Sequence, residues 1–224
     1  MFESLLDKLK EIPQAIPEAV QSLIDNPTAL LVLVILLVAL VMVLRFGRIQ
    51  FSARMMTQIA LAVAIASVLD MMVLFRMPQG GSVTIAAMVP IYLIAFAYGP
   101  QVGLFTGFLF GLINLLLGAY IMHPIQTLLD YPVPFMMIGL AGAFPRHMNI
   151  GIISANLLRF VSHVLSGVIF FAAYTPQGQH PLIYSLVYNS FVFVDGLIAL
   201  IVMNLLPVNR LVKTIHSKAR NISR

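Results

Sequence analysis

Nearly the whole of this chain is laid out in apolar runs about as long as a bilayer is thick, and no other feature restricts its fold so tightly. Seven runs are read, at 28–44, 55–75, 83–98, 102–118, 122–143, 151–173 and 182–206. About 20 apolar residues cross the hydrocarbon core as a helix. Inside lipid every backbone N–H and C=O has to be satisfied within the chain, which leaves helices or closed barrels. Charged residues make up 9% of the chain, against about 25% in soluble domains. The expectation is an all-α integral membrane protein whose short connections pack its helices into one bundle, with no room in the loops for a soluble domain.

Several function classes drop out on composition. There is no cysteine, which excludes disulfides, thiolate metal sites and cysteine nucleophiles. The five histidines are scattered and none lies in HExxH, so no metal site is expected. No GxxxxGK[ST] loop is present, so the chain does not bind ATP through a Walker motif. No Ser/His/Asp set has a recognisable local spacing, and the chain reads as no enzyme. The net charge of +5 does not point to nucleic acid, because most basic residues flank apolar runs as membrane anchors do.

Those anchors set an orientation. Arg45, Arg48 and Arg54 follow the first run, Arg146 follows the fifth, and Arg210, Lys213, Lys218, Arg220 and Arg224 follow the last. With seven crossings all three groups fall on one face. The positive-inside rule then puts the C-terminus in the cytoplasm and the N-terminus outside. If the first run lay at the interface instead, only the N-terminus would change sides. Residues 1–27 read as a short amphipathic segment broken by Pro13 and Pro17, without the early apolar stretch of a signal peptide. Residues 207–224 read as a basic cytoplasmic tail.

One charge sits where charges are costly. Asp130 lies within MHPIQTLLDYPVPFMMIGLAG, and a carboxylate at membrane depth costs roughly 2.5 kcal/mol or more. Pro132 and Pro134 follow it and remove the donors that the carbonyls of Leu128 and Asp130 would use in a helix. Irregular backbone at such depth lines a cavity or is buried in protein. The bland alternative is a kinked helix whose Asp130 pairs with an internal arginine. In the sixth run Arg159, His163 and Gly167 share one helix face by their four-residue spacing. Arg159 needs a partner, with Asp130 and Asp195 the candidates inside the bundle, and Gly167 opens space beside His163. Phe170 and Phe171 follow, facing lipid or offering a stacking surface. The last run carries Tyr184 and Tyr188 on one stripe and Ser185 and Asn189 on the next. A carboxylate, several aromatic rings, an imidazole and an amide together suit a planar, cationic, nitrogen-rich ligand, with cation–π attraction of about 0.5–2 kcal/mol per ring.

Small residues mark close packing. Ala60 and Ala64, and likewise Ala62 and Ala66, stand four apart, which fits either docking of another membrane protein or packing within the bundle. Gly103, Gly107 and Gly111 form a second such stripe, read as closing one helix on another. Pro78, Gly80 and Gly81 favour an irregular external loop that either covers a pocket or merely connects two runs.

The segments QGGSV (79–83), HPIQTLLDY (123–131), LLRFVSHVLSGVIFF (157–171) and IYSLVYN (183–189), in this order, resemble the thiamine-specific substrate-binding (S) components of energy-coupling factor transporters. The resemblance covers about 55–206. It implies a six-helix membrane bundle of the S-component type, here with one extra N-terminal transmembrane helix at 28–44, in a bacterial cell membrane. It implies high-affinity thiamine binding near the outer face, by Asp130, Tyr131, Tyr120, His163, Gly167, Phe171, Tyr184 and Asn189. It further implies a gating loop at Gly80 and Gly81, and docking through Ala60 and Ala64 on a transmembrane scaffold subunit. Two ATPase subunits would use the ATP, so no cofactor is expected on this chain. Some members carry glutamate at the position of Asp130, and tryptophan at those of Phe171 and Gly81. The rival readings are a stand-alone, proton-coupled thiamine carrier with an Asp130–His163–Arg159 relay, and an intramembrane enzyme built on an Asp130–Asp195 pair.

Overall fold

The structure is a computed structural model that describes residues 27–46, 49–118 and 120–220, together with Pro17 and Gln21. The amphipathic segment expected over 1–27 lies almost wholly outside the described residues. The first two apolar runs form α1 (Pro27–Phe46) and α2 (Ala53–Met71). Ser52 starts α2 as an N-cap, its hydroxyl accepting from the Met55 N–H at 3.2 Å.

The third run does not begin as a helix. Val73–Arg76 (β1) and Ser82–Thr84 (β2) pair antiparallel, with Val73 opposite Thr84 and Arg76 opposite Ser82. Only from Val89 does the chain become helical, as α3 (Val89–Tyr98). The irregular loop expected here is thus a hairpin, and the helix expected from 83 starts later. Gly80 and Gly81 turn the chain at φ of +87° and +80°, a conformation that costs glycine little. Asp195 Oδ1, from far along the chain, accepts both the Thr84 N–H at 3.0 Å and the Thr84 hydroxyl at 2.8 Å. A short apolar run is ambiguous between strand and helix, and this buried carboxylate favours the strand.

The fourth run is α4 (Pro100–Leu116). The fifth breaks as its prolines predict, into α5 (Pro124–Asp130) and α6 (Pro132–Gly139), followed by a 3-10 turn at Leu140–Ala143. Tyr131, at φ −119° and ψ −80°, is the hinge, and Pro132 opens the next helix where its missing N–H is harmless. The sixth run is α7 (Met148–Phe170), ending in a 3-10 turn at Ala172–Tyr174. The last run, expected to be continuous, is α8 (Pro181–Tyr188) and α9 (Phe191–Leu205). Between them Ser190, Val192 and Phe193 donate to the carbonyls three residues back, the tighter spacing of a 3-10 turn. A basic helix, α10 (Val208–Arg220), closes the chain.

Three helical stretches among the described residues are long and apolar enough to cross a membrane: α2, α7 and the composite 181–205. The outer face of the bundle is apolar, as lipid requires, and the interior combines an apolar core with a smaller set of buried polar side chains. On α7, Ile150, Ile153, Leu157, Val161, Leu165 and Ile169 form one exposed stripe, while Asn156, Arg159, Ser162 and Ser166 are buried. The core centres on Ile91, Tyr92, Phe110 and Ile138, all fully buried. Helix α1 lies at the side, with Leu40 and Leu44 packed on Phe108 and Met136.

The glycine stripe does close α4 on α6. A Cβ at Gly107 would sit 2.0 Å from the Phe135 carbonyl oxygen, and one at Gly103 would sit 2.5 Å from that of Gly139. Backbone cannot yield as a flexible side chain can, and overpacking costs typically 1–3 kcal/mol or more. Gly107→Val is therefore expected to lower the melting temperature of the purified protein sharply, as read by thermal unfolding in detergent. Gly178→Ala, whose Cβ meets nothing within 4 Å, pays only for its positive φ and should lower it less.

Candidate functional site

A cavity of about 530 Å³ opens between the hairpin, the α5–α6 break, α7 and the α8–α9 turn. All eight residues expected to contact a ligand line it, as do Gly80 and Gly81. Ala60 and Ala64 do not. They lie exposed on α2, whereas Ala62 and Ala66 are buried in the core, so the two small-residue pairs part company.

Asp130 is the last residue of α5, and its carboxylate is held from two sides. Oδ2 accepts from Gln126 Nε2 at 2.7 Å and from the Ser166 hydroxyl at 2.9 Å, and Oδ1 lies 3.3 Å from His163 Nδ1. None of these partners carries a fixed charge. The internal arginine is engaged elsewhere: Arg159 NH1 meets Asp195 Oδ2 at 2.6 Å, with both side chains at 5% exposure or less. Asp195 Oδ1 is taken by Thr84, as above. Both oxygens of Asp195 are therefore occupied, and the kinked-helix reading, in which Arg159 neutralises Asp130, is set aside.

Gln126, like Ser166 and Tyr174, belongs to the site without having stood out in the sequence. It is 1% exposed, donates to the Tyr120 carbonyl at 3.0 Å as well as to Asp130, and accepts from the Met122 N–H at 3.0 Å. The signal was present: His123 and Gln126 stand three apart ahead of an apolar run, the spacing of a capping box, and both halves of that box form. The box starts α5, and the same glutamine aims Asp130 one turn later.

Aromatic rings form the rest of the wall. Tyr120 and Phe171 lie 6.0 Å apart between ring centroids, and Phe171 and Tyr174 lie 5.9 Å apart. The hydroxyls of Tyr120 and Tyr174 are 2.8 Å apart, and this hydrogen bond pushes the Tyr120 phenol up from its ordinary value. Tyr131 accepts from the Tyr120 N–H at 2.7 Å, which ties the hinge to the end of the preceding connection. Tyr184 and Tyr188 stand 5.9 Å apart on the other side. Phe170 does not share this wall, because it stacks on His123 at 4.8 Å.

Two expected roles change in detail. Asn189 was read as offering both donor and acceptor, but its NH2 is taken up by Ser185 and by the His163 carbonyl. Its amide oxygen is what remains for a ligand. Gly167, expected to open space beside His163, lines the cavity and is crowded on one side: a Cβ there would lie 2.1 Å from the Ser185 hydroxyl oxygen. The glycine lets α8 approach α7, and so brings Tyr184 and Asn189 to the cavity. Gly167→Ala is expected to push α8 outward and to weaken ligand binding, by up to about a hundredfold for a displacement of order 1 Å at the site. Titration calorimetry against the parent chain measures it.

A family described as "Thiamine transporter protein" matches residues 56–215. A relative called thiamine transporter ThiT from Bacillus subtilis is 39% identical over 160 residues, covering 63% of this chain and 83% of its own length. A thiamine transporter ThiT from Lacticaseibacillus paracasei is 29% identical over 122 residues, covering 46% of this chain and 61% of its own. A solved structure of ThiT from Listeria monocytogenes superposes with a TM-score of 0.60 at 28% identity, covering 70% of this chain and 96% of that one.

Proposed function

The chain belongs to the thiamine transporter protein family, and from that premise we propose that it is the high-affinity thiamine-binding S component of an energy-coupling factor importer. The family is one of membrane transporters, so the chain is a multi-pass membrane protein and not an enzyme. The observation that carries the reading is Asp130, a carboxylate on a cavity wall with hydrogen bonds but, among the described residues, no cationic partner with a fixed charge. Thiamine brings the missing positive charge on its thiazolium ring. The aromatic faces of Tyr120, Phe171 and Tyr184 add cation–π attraction. Tyr131 and the amide oxygen of Asn189 then bond the aminopyrimidine, and His163 contacts a ring.

The energy comes from elsewhere. This chain lacks a Walker loop, and in this reading two partner ATPases hydrolyse ATP and act through a membrane scaffold subunit. Ala60 and Ala64, small and outward-facing on α2, suit the close helix approach such a scaffold needs. The six-helix binding domain then occupies 55–206, 28–44 is an additional span, and the basic stretch 207–224 lies in the cytoplasm with the N-terminus outside. A stand-alone proton-coupled carrier would want Arg159 beside Asp130 and His163, and the Arg159–Asp195 pair lends that reading less support. The test is calorimetry of thiamine on the detergent-purified chain. One-to-one binding is expected, and absence of binding by a well-folded sample contradicts the proposal.

A further inference from the structure

The hairpin turn in the cavity wall is fastened by a residue with no assigned role. Tyr188 is the last residue of α8, and its hydroxyl makes two bonds to consecutive backbone groups of the turn. It accepts from the Gln79 N–H at 2.8 Å and donates to the Gly80 carbonyl at 2.9 Å. The turn is closed on itself by the Met77 N–H donating to the Gly81 carbonyl at 3.0 Å. On the far side of the Asn189–Ser190 turn, the Phe191 ring lies directly under Gly81, where a Cβ would come within 2.7 Å of its Cζ. Met77 and Val83, one on each side of the turn, pack with Tyr188 and Phe191 in a single apolar cluster.

These contacts make the α8–α9 turn a seat for the hairpin tip. Of the two residues between the clamps, Asn189 lines the cavity. We propose that Tyr188 is a positioning residue that holds the Gln79–Gly81 turn in the cavity wall, so that a bound molecule leaves more slowly while the two hydrogen bonds of Tyr188 last. Both bonds go to main-chain groups, so they survive a change of the Gln79 side chain. A single hydroxyl that both donates and accepts is the group the arrangement needs. Phenylalanine would keep the ring and its place beside Tyr184 but would release the turn. The latch itself stands on geometry alone, and only its consequence for a ligand rests on the reading of the cavity as a thiamine site.

The test uses the full chain in detergent and needs no ligand for its first part. Because the chain has no cysteine, Gln79→Cys supplies a single reporter on the turn. Adding Tyr188→Phe is expected to speed its reaction with a maleimide roughly 30-fold, the effect of losing two net hydrogen bonds, with the melting temperature lowered by only several degrees. In the unmutated chain the Gln79 amide should be protected from hydrogen exchange. Tyr188→Phe should remove that protection while the Thr84 amide, held by Asp195, keeps its own. With thiamine added, Tyr188→Phe should accelerate dissociation by a similar factor without slowing association. Unchanged labelling, or a Gln79 amide that exchanges freely in the parent chain, overturns the proposal. If labelling and exchange respond as stated but neither chain binds thiamine, the latch stands and the ligand assignment falls.

Discussion

Asp130→Asn is expected to weaken thiamine binding by about 2–4 kcal/mol, or roughly 30- to 1000-fold, the usual cost of removing one partner of a desolvated charge pair. Calorimetry on the purified variant reads this directly. The substitution keeps the size of the side chain, and its amide oxygen still accepts from Gln126 and Ser166 in place of the carboxylate. What it removes is the net negative charge. The fold should therefore persist with little change in melting temperature, while the dissociation constant moves by orders of magnitude. The loss should respond weakly to salt, because partly buried charges are screened much less than exposed ones.

Arg159→Leu is expected to do the reverse, costing about 3–5 kcal/mol of stability because it strands the Asp195 carboxylate in the core. Asp195 is 1% exposed and Arg159 4%. The damage should spread to the hairpin, since Asp195 Oδ1 holds Thr84. Thermal unfolding or the yield of monodisperse protein measures the effect. Arg159→Leu combined with Asp195→Leu should recover much of it, because an apolar pair of similar volume removes the uncompensated charge. Recovery should be incomplete, as the Thr84 N–H and hydroxyl lose their acceptor. If the double variant is no better than the single one, the ion pair is not what Arg159 contributes.

These two expectations depend on which acid meets the arginine, and that was beyond reach in the linear chain. Periodicity placed Arg159, His163 and Gly167 on one face, and α7 presents them so. It could not say whether Asp130 or Asp195 would pair with Arg159, because that choice is made by how α7 packs on α9. The break at Tyr131 was legible because Pro132 and Pro134 act locally. So was the Gly103–Gly107–Gly111 stripe, whose spacing alone implies close backbone approach. The hairpin at 73–84 was not legible, because an apolar stretch satisfies strand and helix equally until Asp195 accepts from Thr84. Gln126 could have been found through the His123–Gln126 spacing. Ser185 crowding Gly167, and Tyr188 reaching across to Gln79, depend on contacts between residues distant in sequence.

The central claim is that a cavity carboxylate, hydrogen-bonded by Gln126, Ser166 and His163 but facing no fixed positive charge among those partners, is matched to a cation on its ligand. The most direct measurement is a two-by-two comparison by calorimetry, pairing the parent chain and Asp130→Asn with thiamine and with an uncharged isostere whose thiazolium is replaced by a neutral ring. The account predicts that the substitution weakens thiamine by the factor given above and leaves the neutral ring nearly unaffected or bound more tightly. Equal losses for both ligands, or no loss for thiamine, would contradict it.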